Sequence, residues 1–199
     1  MGRRGDHTKE EIREMALAAA EKLVALEGFQ SLSTRKVAKS IGYTVGSLYV
    51  VFQNLDDLIL NVNARTLDKL SLNLLERGKS EADPLAALLA MASQYYEFVV
   101  DNSNLVGMIY DHRMPTKDSL PDWYQPKVAG IFNEIEQLVG KVLIGKDASI
   151  TACAARVLWS GVHGICILDI TDNLTIANAG SSRELLESFV TNYIAGIMK

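Results

Sequence analysis

Between Glu27 and Asp56 the chain carries no acidic residue, although the whole sequence holds 24 Asp and Glu against 20 Lys and Arg. Within that stretch residues 33–52 read STRKVAKSIGYTVGSLYVVF, two short apolar-periodic runs on either side of Gly42-Tyr43-Thr44. Few folds have a use for so short a helical pair with so tight a break. A helix-turn-helix does: one helix crosses the phosphates, a turn redirects the chain, and a second helix lays its N-terminal residues in the major groove. Val37, Ala38 and Ile41 are spaced to pack inward from the first run, and Gly42 supplies a backbone conformation that a Cβ resists. Leu48 and Phe52, one turn apart, pack back from the second. That leaves Thr44, Val45, Gly46, Ser47, Tyr49 and Val50 to face outward or toward DNA.

The outward residues suit a polyanion. Ser33 and Thr44 read as N-caps that expose helix N-termini to phosphate. Arg35 can fork onto a phosphate or a guanine edge, and Ser47 and Tyr49 carry hydroxyls. An acid-free surface around Arg35, Lys36 and Lys39 avoids repelling DNA. The net charge is 20 − 24 = −4, so any such contact comes from this local patch. A structural helical hairpin with merely solvated basic residues fits the same pattern.

The rest of the chain repeats near 3.6 residues. Thr8-Lys9-Glu10-Glu11 is a capping box ahead of a helix that ends before Gly28. Short helices follow from Ser33 to about Ser40 and from Val45 to Phe52, and Asn54-Leu55-Asp56-Asp57 opens a long helix to about Arg77. Gly78–Pro84 reads as a joint, with helices of roughly 85–102, 104–113, 122–145, 148–171 and 182–197 beyond it. Residues 114–126 hold three of the 4 prolines and read as a loop. No alternating strand pattern appears. The expected fold is all-α, about nine helices. A helix-turn-helix head (1–54) is joined through a connecting helix (about 54–77) to an effector-binding and dimerisation body (55–199).

In the body, aromatic and sulfur side chains cluster in a way that fits either a helical core or an apolar ligand pocket. The pocket candidates are Tyr95, Phe98, Met108, Tyr110, Trp123, Phe132, Trp159 and His163. Asp111, His112 and Arg113 are candidates to fix a ligand, with the surface as their expected place. His163, alone on a mostly apolar helix, reads first as a hydrogen-bonded core residue. The last two long helices carry broad apolar stripes that one chain hardly covers. Val157, Ile165, Leu186, Phe189, Val190, Tyr193, Ile194 and Ile197 are therefore expected at a two-fold interface.

Cys153 and Cys166, 13 residues apart on one helix, stand about 20 Å apart and cannot pair. Metal-ligand spacings, nucleophile elbows and phosphate loops do not occur, so no enzyme activity, catalytic residue, metal or cofactor is expected. The N-terminus lacks the apolar run of a signal peptide. No apolar stretch reaches the ~18 residues of a bilayer span, so the expectation is a cytoplasmic protein with no membrane partner.

The run from Thr8 to Leu58 closely resembles the N-terminal domain of the tetracycline-repressor (TetR) family. The shared features are the long first helix, Gly28-Phe29, the stretch from Ser33 to Gly42, the stretch from Thr44 to Tyr49, Phe52 and Asp56-Asp57-Leu58. The resemblance implies DNA contacts from Ser33, Arg35, Thr44, Val45, Gly46, Ser47 and Tyr49, with Thr34 and Gln53 as further contacts. Val51 and Leu55 depart from the pattern, which commonly has His or Tyr at the first place and Lys at the second. Their loss lowers the number of neutralised phosphates. Trp159-Ser-Gly-Val-His163-Gly164 is similar to the Trp…His-Gly motif of one C-terminal class of the family. What this implies is a homodimeric repressor that binds a palindromic operator in double-stranded DNA. A small, largely apolar effector would release it. The alternatives are a DNA-binding regulator without a small-molecule effector, or a helical interaction module that has lost DNA binding.

Overall fold

The structure, a computed structural model, describes residues 7–114 and 120–198. Part of the expected 114–126 loop, residues 115–119, lies outside the described residues. The elements are α1 (Lys9–Glu27), α2 (Thr34–Ser40), α3 (Val45–Leu48), α4 (Leu55–Ser80), α5 (Pro84–Asp101), α6 (Ser103–Asp111), α7 (Gln125–Val142), α8 (Ala148–Ile170), α9 (Asn173–Ile176) and α10 (Ser182–Ile197). Among the described residues there is no strand, so the protein is all-α. The four-residue α9 is too short to leave a periodic signal and is the helix that the sequence does not announce.

The chain divides into two compact units, residues 1–67 with 102–124, and residues 68–101 with 125–199. In the first, α1 starts at a true capping box, with Thr8 N–H donating to Glu11 at 2.6 Å and Glu11 N–H to Thr8 Oγ1 at 3.2 Å. It stops at Gly28, whose φ of 77° lets its N–H close on Val24 O at 2.9 Å; a side chain there would strain the backbone. Ala16, Leu17, Ala20 and Val24 of α1 meet Val37 and Ala38 of α2, Leu48 of α3, Phe52, Leu58 and Val62 of α4, and Leu105 and Met108 of α6. The helix expected over 104–113 thus packs into the core of the first unit. Met108 is fully buried there, which removes it from the pocket candidates.

In the second unit α5 and α8 each pack against α7 and α10. Leu88, Met91, Tyr95 and Val99 of α5, Ile135 and Val139 of α7, Ala155, Leu158 and Val162 of α8, and Val190 and Ile194 of α10 form the buried layer. Contrary to the sequence expectation, α8 is long and apolar enough to cross a membrane. Its buried face, Ala154, Ala155, Leu158, Val162 and Cys166, is the stripe expected of a helix that packs one side onto a helical core, here α5, α7 and α10. Burial pushes the Cys166 thiol up to about 12, and Cys153 is exposed; both are free.

Gly161 lies directly under the Phe189 ring, where a Cβ would overlap ring carbons. Gly161→Ala is expected to push Phe189 off α8 and to cost about 1–3 kcal/mol. Thermal unfolding would read this, with Phe189→Leu in the same chain restoring much of the loss.

Candidate functional site

The first unit presents the helix-turn-helix. Ser33 Oγ accepts from Lys36 N–H at 3.3 Å, and Thr44 Oγ1 accepts from Ser47 N–H at 3.3 Å, so both hydroxyls cap their helices. Gly42 turns the chain at φ 74°, and Tyr43 N–H reaches back to Ala38 O at 2.9 Å. α3 ends at Leu48, short of the expected Phe52. The N–H groups of Val51 and Phe52 both return to Leu48 O, at 3.0 and 2.8 Å, which closes the helix into a turn. Tyr49 and Val50, 53% and 59% exposed, therefore project from that turn beside exposed Arg35, Thr44, Gly46 and Gln53. Thr34, Ser33, Val45 and Ser47 are partly exposed.

Two basic residues do not serve this face freely. Lys36 pairs with Glu27 at 2.8 Å, so the acid that borders the acid-free stretch takes one of its cations. Arg13, whose role the sequence reading missed, faces inward. Its Nη1 donates to Val51 O at 2.8 Å, its Nη2 to Asn61 Oδ1 at 2.6 Å, and its guanidinium lies 4.7 Å over the Phe52 ring. One arginine thus ties α1 to the end of the recognition turn and to α4. The signal was available: Arg13 sits three, four and seven residues before Ala16, Leu17 and Ala20, on the face that α1 buries.

Also in the first unit is a cleft of about 420 Å³ lined by Leu60, Asn63, Ile109, His112, Arg113, Met114, Leu120 and Tyr124. Asn63 is 1% exposed. Its side chain hydrogen-bonds Tyr124, while its Oδ1 has no partner among the described residues. Leaving a buried acceptor unpaired costs about 1–3 kcal/mol. Burial raises the Tyr124 hydroxyl above its ordinary range, so it stays protonated and able to donate. His112, expected at the surface, has a side chain only 6% exposed, and its Nε2 lies 2.8 Å from Asp56 Oδ1 in the first turn of α4. Its ring also stands edge-on to Phe29. The sequence hides this cleft because Asn63 and His112 meet only through the packing of α6 against the head.

The expected pocket residues fall in both units. In the second, Tyr95 and Trp159 line an apolar cavity of about 40 Å³ with Leu74, Leu88, Met91, Ala92, Ile135, Leu158 and Val162. Tyr95 Oη bonds His163 Nδ1 at 2.8 Å, Trp159 stacks on the His163 ring at 5.4 Å, and Phe132 stands edge-on to Trp159 at 5.2 Å. Phe98 is core. Tyr110 and Trp123 belong to the first unit, at 38% and 41% exposure.

Burial depresses the His163 pKa, so the folded chain binds fewer protons here than the unfolded one. The stability tied to neutral His163 is complete above about pH 6.5 and is lost as pH falls below it. The midpoint of thermal unfolding should therefore drop between pH 7.5 and 5.5, by less in His163→Phe than in the parent.

Of the residues expected at a two-fold interface, Leu186, Val190 and Ile194 are at most 4% exposed and belong to the core, because they form the inward stripe of α10. Val157 is 43% exposed, and Ile165, Phe189, Tyr193 and Ile197 are partly exposed. Phe189 stacks on Tyr193 with ring centroids 5.8 Å apart.

A helical chain with an exposed helix-turn-helix on a compact head belongs to the class of DNA-binding regulators. Residues 16–62 match the tetR family of bacterial regulatory proteins, and residues 88–193 match the tetracyclin repressor-like C-terminal domain, without singling out the Trp…His-Gly class. The chain belongs to the tetracycline-repressor (TetR) family and is a DNA-binding transcriptional regulator. An uncharacterized HTH-type transcriptional regulator of Mycobacterium tuberculosis is 27% identical over 161 residues, 80% of this chain and 70% of that protein. In fold, the chain is similar to a protein of unknown function from Rhodococcus sp. RHA1 (TM-score 0.81, 18% identity, all of both chains). It is also similar to the regulator FadR from Bacillus subtilis in complex with stearoyl-CoA (TM-score 0.66, 14% identity, 94% of this chain and 97% of that one).

Proposed function

We propose that the protein is a homodimeric repressor acting in the cytoplasm, reading a near-palindromic operator and released by a small, largely apolar effector. Ser33, Thr34, Arg35, Thr44, Val45, Gly46, Ser47, Tyr49 and Gln53 are its DNA contacts. The half-exposed apolar residues Val157, Phe189, Tyr193 and Ile197 form the part of α8 and α10 that a second copy covers. Two heads then read half-sites about 34–36 Å apart, one turn of DNA.

The effector belongs in the cleft of the first unit. At about 420 Å³ it falls within the ~300–1,000 Å³ of small-molecule sites, whereas the apolar cavity of about 40 Å³ in the second unit admits little more than water. The observation that carries this reading is His112, which lines the cleft and also bonds Asp56 at the start of α4, directly after the reading turn. An occupant that contacts His112 differently in two head arrangements shifts the balance between them. Asn63 Oδ1 asks for a ligand that brings an O–H or N–H on an apolar body.

The test uses alkyl phenols and primary alkanols of increasing length, read by Trp123 fluorescence in Trp159→Phe. Binders are expected to weaken duplex affinity about fivefold or more, in the usual range of allosteric coupling, and His112→Ala to lose most of that effect. Binders that leave duplex affinity unchanged would contradict effector release. That outcome would favour the second reading, a regulator without a small-molecule effector, to which the small cavity in the second unit already lends support.

A further inference from the structure

We propose that Arg13, acting with Asn61 and Asp57, is a positioning residue for DNA reading that holds Tyr49 and Gln53 in one register on the operator. Residues 51–54, between the reading turn and α4, form no helix, yet each of them is pinned from outside. Val51 O accepts from Arg13 Nη1 at 2.8 Å, and the guanidinium of Arg13 lies 4.7 Å from the centre of the buried Phe52 ring. Gln53 N–H donates to Asp57 Oδ2 at 2.9 Å, and Asn54 Oδ1 accepts from Asp57 N–H at 2.8 Å. Asn61 joins the two halves. Its Oδ1 accepts from Arg13 Nη2 at 2.6 Å, and its Nδ2 donates to Asp57 Oδ1 at 2.8 Å. One hydrogen-bonded chain therefore runs from α1, through the first two turns of α4, to the backbone of Gln53, and it occupies both carboxylate oxygens of Asp57.

Holding the head together does not require this chain. Leu48, Phe52 and Leu58, each at most 3% exposed, already anchor both ends of the link in the core. What the chain adds is a fixed place for exposed residues: Tyr49 is 53% exposed and Gln53 is exposed on irregular backbone. Such residues, left loose, must be ordered on binding, and that ordering weakens the complex. Arginine suits the task because its planar fork donates in two fixed directions while its face covers a ring; the single nitrogen of lysine does not reproduce this. The nitrogens that bond Val51 and Asn61 are turned onto the protein. Arg13 thus serves the geometry of reading and not the count of neutralised phosphates.

This inference rests on the DNA-reading role and on the contacts assigned to Tyr49 and Gln53, and its test separates the two. A duplex recovered by the full chain from a random pool, and an unrelated duplex of the same length, are titrated by anisotropy at salt concentrations from about 50 to 200 mM. Arg13→Met should bind the recovered duplex about tenfold more weakly, the worth of roughly one misread base pair. Its affinity for the unrelated duplex and its salt slope should stay at the parent's values. Arg13→Lys should recover part of the loss, and Asn61→Ala, which keeps the bond to Val51, should show a smaller loss of the same kind. In a chain that carries Tyr49→Phe and Gln53→Ala, Arg13→Met should cost less than about threefold, because the groups it positions are gone. Leu105→Ala, which opens a cavity on α6, is the control for lost stability and should weaken both duplexes alike. An equal cost of Arg13→Met in the two backgrounds overturns the proposal, as does unchanged affinity for the recovered duplex. So does an equal loss on both duplexes, which is the pattern of the control, or a flatter salt slope, which is direct contact with phosphate. A parent that binds neither duplex overturns the DNA-reading role itself, and this inference falls with it.

Discussion

Arg35→Ala combined with Tyr49→Phe is expected to lower affinity for the protein's own operator about a hundredfold while leaving the fold intact. Arg35 is exposed on α2, and Tyr49 projects from the turn after α3, so neither change opens a cavity or strands a buried group. Loss of an arginine that forks onto a base edge or phosphate costs about 1–3 kcal/mol in binding, and loss of one hydroxyl donor about 1 kcal/mol. Anisotropy titration of the operator duplex reads the loss, and circular dichroism checks the helices. Unchanged binding would mean that the head reads DNA with some other surface.

Leu48→Ala should do the opposite, costing about 2–5 kcal/mol of stability and weakening DNA binding only through the unfolded fraction. Leu48 is 1% exposed and plugs the space between α1, α2 and α4. Val50, two residues on and 59% exposed, is the control: Val50→Ala should stay within about 0.5 kcal/mol in stability. Chemical denaturation of the two variants side by side gives the comparison. If Val50→Ala proved the more damaging, the turn would face inward and the assignment of the DNA face would be reversed.

Much of this head was legible because its signals are local. The capping box at Thr8 forms as the sequence spells it, and Val37, Ala38 and Leu48 turn inward at the expected spacing. What escaped the sequence depends on partners far along the chain. α3 is shorter than its apolar run because residues 49–51 fold back into a turn and Arg13 of α1 takes the Val51 carbonyl. α4 runs to Ser80, past the glycine that read as its end, because a single glycine costs a helix only about 1 kcal/mol. α6 joins the head through Leu105 and Met108, a choice that periodicity does not make. The cleft follows from that choice, since it brings His112 to Asp56 and Asn63. On α10 the apolar stripe was visible, but its division into a buried line of Leu186, Val190 and Ile194 and a half-exposed line of Phe189, Tyr193 and Ile197 needed the packing of α5 and α8.

The most direct measurement is selection of duplexes from a random pool by the purified full chain, over several rounds at two salt concentrations. The expected result is a near-palindromic motif with half-sites one helical turn apart, bound more weakly at high salt in proportion to the phosphates neutralised. Recovery of nothing above the random background, at either salt concentration, would contradict a DNA-reading head. Leu55, where a basic residue would have met the phosphates, would then mark a helical module that had lost its DNA.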